Sequence, residues 1–295
     1  MVATTAPAKA QTPAPAPTPT RRNIFLRAGL QLAGVVVFVL ALPIAFGMEW
    51  DNFLPLFHPD NVRFLGFGLL ATVLISVVAI LLSLPLATGL ALGRLSSIGV
   101  IRWPSIAVIE VIRAVPVLLL IYYINLRFPG LDIFAGFQPG ARTDYLSIEI
   151  QRLLARPALA VMIALTVYTA AVNAELLRSG ILSLDRGQFE ASRALGLSYW
   201  QMMRRVILPQ AFRRTLAPLI AQFTIVVKDT SLGSIIGFFE LQRRGVIIYQ
   251  QPANFNPMET LYFIALIYFV VNYLLGLTSR LIERRRPSVR PVVEA

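Results

Sequence analysis

Residues 28–47, 64–93 and 260–279 are long apolar runs with almost no charge. A helix needs roughly 20 such residues to cross a bilayer. Backbone polar groups in hydrocarbon must find partners within their own segment, so runs of this kind are helices. A membrane β-barrel would show alternating segments of about 10 residues instead, and the sequence lacks them. Composition agrees, with 56% hydrophobic and 14% charged residues, where a soluble domain carries about 25% charged. The expected fold class is all-α integral membrane, with about six transmembrane helices.

The net charge of +12 would suggest nucleic acid in a soluble protein. Here the basic residues sit in a few loops and at the tail, which is how membrane topology is encoded. The spans exclude a nucleic-acid protein and make the lipid bilayer the expected surrounding. There is no cysteine, hence no disulfide and no thiolate metal site. The one histidine, His58, stands beside Pro59 in a loop and is expected to be solvated. No metal site is expected.

Residues 1–20 are rich in Ala, Pro, Thr and Gln, with Lys9 as their one charge. Such a segment cannot bury a core, so 1–27 is expected to be a disordered tail. The run Ala28–Gly47 follows Arg21, Arg22 and Arg27. It is long for a signal-peptide core and lacks a small-residue cleavage site, so it reads as a retained first span. The further spans read as 64–92, with a kink expected at Pro85, then 105–126, 157–177, one beginning near Thr215, and 260–279. Residues 178–214 hold seven arginines against Asp185 and Glu190, and the tail from 280 holds five arginines against two glutamates. With Arg94 and Arg102, these stretches fall on one side of a six-span chain, which predicts both termini in the cytoplasm. The segments 48–63, 127–156 and 240–259 are then external. Pro139-Gly140 marks a turn in the second of them, which has room for a short surface helix.

The longest cytoplasmic connection has internal order. Phe189–Leu195 favours a helix, and Gly196 suits the left-handed residue that ends it. Ser198 with Gln201 forms a capping box for a second helix over 199–207. Pro209 suits the first turn of a third. This arginine-rich knuckle reads either as an amphipathic segment on anionic lipid or as a docking surface for a cytoplasmic partner, and composition alone leaves both open.

Specific residues separate them. Glu190-Ala191-Ser192, then Gly196, a nine-residue spacer Leu197–Arg205, and Val206-Ile207-Leu208-Pro209 resemble the loop signature of ABC importer permeases. Ser192 and Val206 depart from that signature by small changes of type. Arg113-Ala-Val-Pro116, Tyr168-Thr-Ala-Ala-Val-Asn173-Ala-Glu175, and Lys228-Asp-Thr-Ser-Leu232 extend the likeness to the polar amino-acid branch, nearest to glutamate and other acidic amino-acid permeases. The likeness covers roughly residues 64–285. It implies a five-helix permease core over 64–285, an extra helix and external loop over 28–63, and a cytoplasmic tail over 286–295. It implies a bacterial cytoplasmic (inner) membrane location and a cytoplasmic coupling helix contacting an ABC ATPase dimer. The residues carried over for that contact are Gly187, Phe189, Glu190, Ala191, Arg193, Gly196, Leu208 and Pro209. A second permease subunit, sibling or self, and an extracytoplasmic solute-binding protein complete the implied assembly.

The chain has two lysines, Lys9 and Lys228, and neither completes a phosphate loop. ATP and Mg are therefore expected on the partner ATPase, with no cofactor on this chain, which reads as a non-catalytic permease rather than an enzyme. Ionisable groups at membrane depth suggest function by default. Glu110 and Arg113 lie three apart and are expected to neutralise each other; Glu175 and Arg178 have the same spacing. Lys228, Asp229, Thr230 and Ser231 interrupt an apolar span and are the main candidates for a substrate path or gate. Arg113, Tyr168, Thr169, Asn173 and Glu175 are further candidates, with interhelical hydrogen bonding as the alternative for Thr and Asn. The competing function is an ion-coupled secondary amino-acid transporter, which would commonly show internal repeats that are not evident here.

Overall fold

The computed structural model describes residues 39–128, 145–251 and 257–284, together with Gly34 and Val37, and side chains as far as residue 278. The chain divides into two compact units, 1–49 and 50–295. In the first, residues 39–45 are helical and form α1. Residues 28–33, 35, 36 and 38 of the expected first span, the tails 1–27 and 286–295, and the Pro139-Gly140 turn lie outside the described residues.

The second unit opens with a 3-10 turn, Trp50–Phe57, and then α2, Pro59–Arg94. Pro59 sits in the first turn of α2, where its missing N–H is harmless. Pro85 lies inside α2, and the helix continues through it to Arg94. The face of α2 that turns inward carries Ala71, Ser76, Ala79, Ser83, Ala87 and Ala91, all buried. It meets α6, Arg156–Leu182, whose inward residues include Ala160, Ala164, Ala171 and Ala174. Small residues let two backbones approach closely, which matters in lipid because apolar burial there gives no drive for association. This α2–α6 seam is the centre of the fold.

The third span differs from expectation. It is not one helix from 105 to 126. It consists of α3, Gly99–Ala114, and α4, Val117–Arg127, bent by 101° to each other. Val115 is extended, with φ −84° and ψ 129°, as a residue before proline is driven to be, and Pro116 starts the new helix. The short helix expected in segment 127–156 is present as α5, Tyr145–Leu154.

The fifth span also begins earlier than Thr215. The loop helices α7, Arg186–Ala194, and α8, Tyr199–Met202, lead through a π turn, Met203–Ile207, into α9, Leu208–Asp229. A 3-10 stretch, Thr230–Ile236, closes the run. Segment 240–259 contains α10, Leu241–Tyr249, before the last span α11, Pro257–Arg284. Among the described residues, four helical runs are long and apolar enough to cross a membrane, and the bent α3–α4 pair makes a fifth.

Candidate functional site

The knuckle between α6 and α9 is built from backbone motifs. At the end of α7 the Gly196 N–H donates to Arg193 O at 2.9 Å and the Leu197 N–H to Ser192 O at 3.2 Å. Gly196 has φ +72°. These are the two bonds of a Schellman motif, in which glycine takes the left-handed position. Ser198 then caps α8: the Gln201 N–H donates to Ser198 Oγ at 3.3 Å, and the Ser198 N–H donates to Gln201 Oε1 at 3.0 Å. One helix thus ends and the next begins within a few residues, with the free backbone groups answered on both sides.

Beneath the turn lies a separate apolar core of Ile181, Leu184, Met202, Met203, Ile207 and Ala211. Phe189 and Leu208 pack against it, so those two residues hold the knuckle together from inside. Gly187, Glu190, Ala191, Arg193, Gly196 and Pro209 are exposed. Ser192 is buried, and its hydroxyl donates to Gln188 O at 2.7 Å, which accommodates a serine where the resembling signature has alanine. Leu195, Tyr199 and Trp200 are also exposed, so the presented surface mixes charge with large apolar groups.

The candidate path residues do not form one cluster. Lys228 is exposed and Asp229 half-buried where α9 gives way to the 3-10 stretch. The Thr230 hydroxyl donates to Val227 O and the Ser231 hydroxyl to Lys228 O, each at 2.7 Å. Such back-bonding competes with the helical ladder at the point where the helix type changes. Asn173 belongs to the central seam, where its Nδ2 donates to Ser83 Oγ of α2 at 3.2 Å. Asn173 Oδ1 and the neighbouring Thr169 Oγ1 are buried with no hydrogen-bond partner among the described residues. Tyr168 is half-buried, and Arg113 is exposed at the end of α3.

Glu110 is not held by Arg113. Its ion pair is with Arg94 at the end of α2, where Nη1 lies 2.8 Å from Glu110 Oε1. Spacing along one helix suggested the wrong partner because α2 ends beside α3. The same Arg94 nitrogen is 2.9 Å from Glu175 Oε1, a charge contact rather than a directed hydrogen bond. Arg178 Nε donates to Glu175 Oε2 at 3.0 Å, as the three-residue spacing predicted.

Sequence reasoning missed the corner between α5 and α10. Arg244 of α10 is fully buried and pairs with both carboxylate oxygens of Glu149 on α5. It also donates to Phe239 O at 3.0 Å and to Phe64 O at 3.1 Å. Its stem crosses α2 at Gly68, where any side chain would collide with it. Glu240, also fully buried, caps α10 by accepting from the Gln242 and Arg243 N–H groups at 2.8 and 2.7 Å, and it accepts from Tyr268 Oη at 2.7 Å. Burial pushes its carboxyl up to about 7, against the pull of those donors. Balanced charge in both segments made them look like solvated loops.

These features define a multi-pass helical membrane protein with an ordered loop knuckle between α6 and α9. The family of binding-protein-dependent transport system inner membrane components matches residues 83–287, and the chain belongs to that family. It is 37% identical to the glutamate transport system permease protein GluD of Corynebacterium glutamicum, over 74% of this chain and 73% of that one. It is 33% identical to the probable glutamine ABC transporter permease protein GlnP of Bacillus subtilis, over 80% and 99%. A solved amino acid ABC transporter, crystallised with histidines, matches with TM-score 0.61 and 31% identity, covering 77% of this chain and 96% of that one.

Proposed function

We propose that this chain is the permease subunit of an ATP-driven importer for a polar amino acid, with the glutamate, aspartate and glutamine class favoured. Its knuckle over 186–209 docks on a separate cytoplasmic ATPase dimer, which carries ATP and Mg. A second permease subunit completes the path, and an extracytoplasmic binding protein delivers substrate. Both termini then lie in the cytoplasm, consistent with the arginines of 178–214 on that side. The permease unit is assigned to 64–285, and 28–63 adds a helix and an external loop. The substrate class follows the names of the relatives reported above.

One observation carries the docking assignment. The knuckle's caps are satisfied internally while Glu190, Ala191, Arg193 and Gly196 stay exposed above an apolar core shared with α6 and α9. A lipid-bound segment would turn its apolar face outward to the acyl chains. This one turns much of that face inward onto its own core, which makes it stiff enough to transmit a push. Lys228, Asp229, Thr230 and Ser231, at the change of helix type, are assigned to the path or its gate. Arg113 and Tyr168 are assigned as possible neighbours of it, while the bonds of Asn173 and Glu175 favour packing roles.

The test is Gly196→Asp, reconstituted in lipid with the ATPase and the loaded binding protein. A charged side chain strains the left-handed position and projects into the docking face. ATP-driven uptake should be lost, and uptake at the wild-type rate would refute docking through this turn. Stimulation of ATP hydrolysis by binding protein loaded in turn with glutamate, glutamine, histidine or arginine identifies the substrate.

A further inference from the structure

We propose that Arg94 is a positioning residue that links the helix entering the docking knuckle to the bent third span, so that movement of the knuckle reaches the bend at Pro116. The inference rests on the docking assignment above. One turn at the end of α2 faces both structures. Leu92 and Leu95 pack against the apolar core of the knuckle. Gly93 and Arg94, between them, face α3. Any side chain at Gly93 would collide with Ser105 of α3, so the two helices touch there. Arg94 joins Glu110 of α3 to Glu175 of α6 through a single guanidinium nitrogen.

α3 is also held by apolar contacts. Ile109 is its buried residue, seated among Ala87 and Ala91 of α2 and Ala174 and Leu177 of α6. Apolar burial of this kind is non-directional and sets register less sharply than a directed charged bond does. An ion pair does not slide without separating its charges. Sliding α3 would pull Glu110, 54% exposed, off an Arg94 that is 21% exposed and held in place by Glu175 of α6. Arg94 therefore fixes the register of α3 against α2 and α6. α6 runs directly into the knuckle, and α3 runs directly into the 101° bend. Arg113, the last charged residue before that bend, travels with α3.

The test uses the complete complex in proteoliposomes, with the ATPase and substrate-loaded binding protein, and reads ATP hydrolysis and uptake separately. Arg94→Gln should keep stimulated hydrolysis within about twofold, while uptake per ATP falls about tenfold, as expected for a residue lying between two coupled sites. Arg94→Lys keeps the charge and should restore uptake per ATP to within about threefold of wild type. If Arg94→Gln fails to assemble, Glu110→Gln carries the test, because it leaves the Arg94–Glu175 and Arg178–Glu175 pairs in place; the same selective loss is expected. Wild-type uptake per ATP in whichever variant assembles overturns the proposal. So does a parallel loss of hydrolysis and uptake, which would mean damaged docking rather than lost transmission. Gly196→Asp reports on docking alone: full uptake in that variant removes the docking assignment, whereas the Arg94 result is scored on the ratio of uptake to hydrolysis.

Discussion

The knuckle and the corner between α5 and α10 use charge in opposite ways. The knuckle places its arginines and Glu190 outside and holds itself together with caps and an apolar core. The corner places Arg244, Glu149 and Glu240 inside and lets them hold α2, α5, α10 and α11 together. A surface meant to bind a partner needs free charges and a stiff frame. In the corner Leu241 and Ile248 of α10 are buried as well, and the directed bonds of Arg244 and Glu240 fix its register. The contrast predicts that removing a charge damages the corner far more than the knuckle.

The largest effect is expected at Arg244. Arg244→Ala leaves Glu149 buried with only Arg152, 2.6 Å from one of its oxygens. Breaking a buried pair from one side destabilises by about 3–5 kcal/mol. Thermal unfolding in detergent should show this loss, and Glu149→Ala should show a loss of similar size. The double variant Arg244→Met, Glu149→Leu should recover much of it, since no charge is then stranded. A double variant no more stable than either single one would mean the corner depends on the ions for shape rather than for balance.

Glu240 tests the same corner through pH. Its folded carboxyl titrates at about 7, above the ordinary 4.5 of the unfolded chain. Between those values the folded state holds a proton that the unfolded state has released. Stability is therefore greatest below about 4.5 and falls as pH rises toward 7, by on the order of 3 kcal/mol. Glu240→Gln still offers an acceptor to the Gln242 and Arg243 N–H groups and cannot ionise. Its stability should lose this slope across the window. An unchanged slope would place the titration on another group.

These two regions also differ in how far the sequence disclosed them. The knuckle was legible because its devices are local: a glycine after a helix, a serine three residues before a glutamine, and a proline in a first turn. The α2–α6 seam was legible as two apolar runs but not as a pairing, since small residues say that helices approach without saying which. The break at Val115-Pro116 was legible as a kink at a proline. Its size, 101°, was not, because a proline marks where a helix breaks without fixing the angle between the two halves. The Arg94–Glu110 and Arg244–Glu149 pairs join residues 16 and 95 positions apart. Pairing rules based on helix spacing see only neighbours three or four apart, so Glu110 was matched to Arg113 and the corner was missed.

A smaller effect is expected at the knuckle. Ser198→Ala removes one half of the capping box and should cost about 1 kcal/mol. That loss is local. Hydrogen exchange should quicken at the Gln201 N–H and the first turn of α8, with global unfolding nearly unchanged. Global destabilisation as large as that of Arg244→Ala would erase the contrast between the two regions.

The smallest effect is expected at Asn173, between the two regions. Its Nδ2 bond to Ser83 is one interhelical hydrogen bond, and such bonds in membranes average about 0.6 kcal/mol. Its Oδ1 is buried without a partner among the described residues, so truncation also relieves an unmet acceptor. The two terms oppose each other, and Asn173→Ala should change unfolding by less than about 1 kcal/mol. If Asn173 only joins α2 to α6, the substrate concentration for half-maximal uptake stays at its wild-type value. If its free oxygen and the adjacent Thr169 hydroxyl instead meet substrate, that concentration rises while stability does not move, and the path must be redrawn along the central seam rather than at Lys228–Ser231.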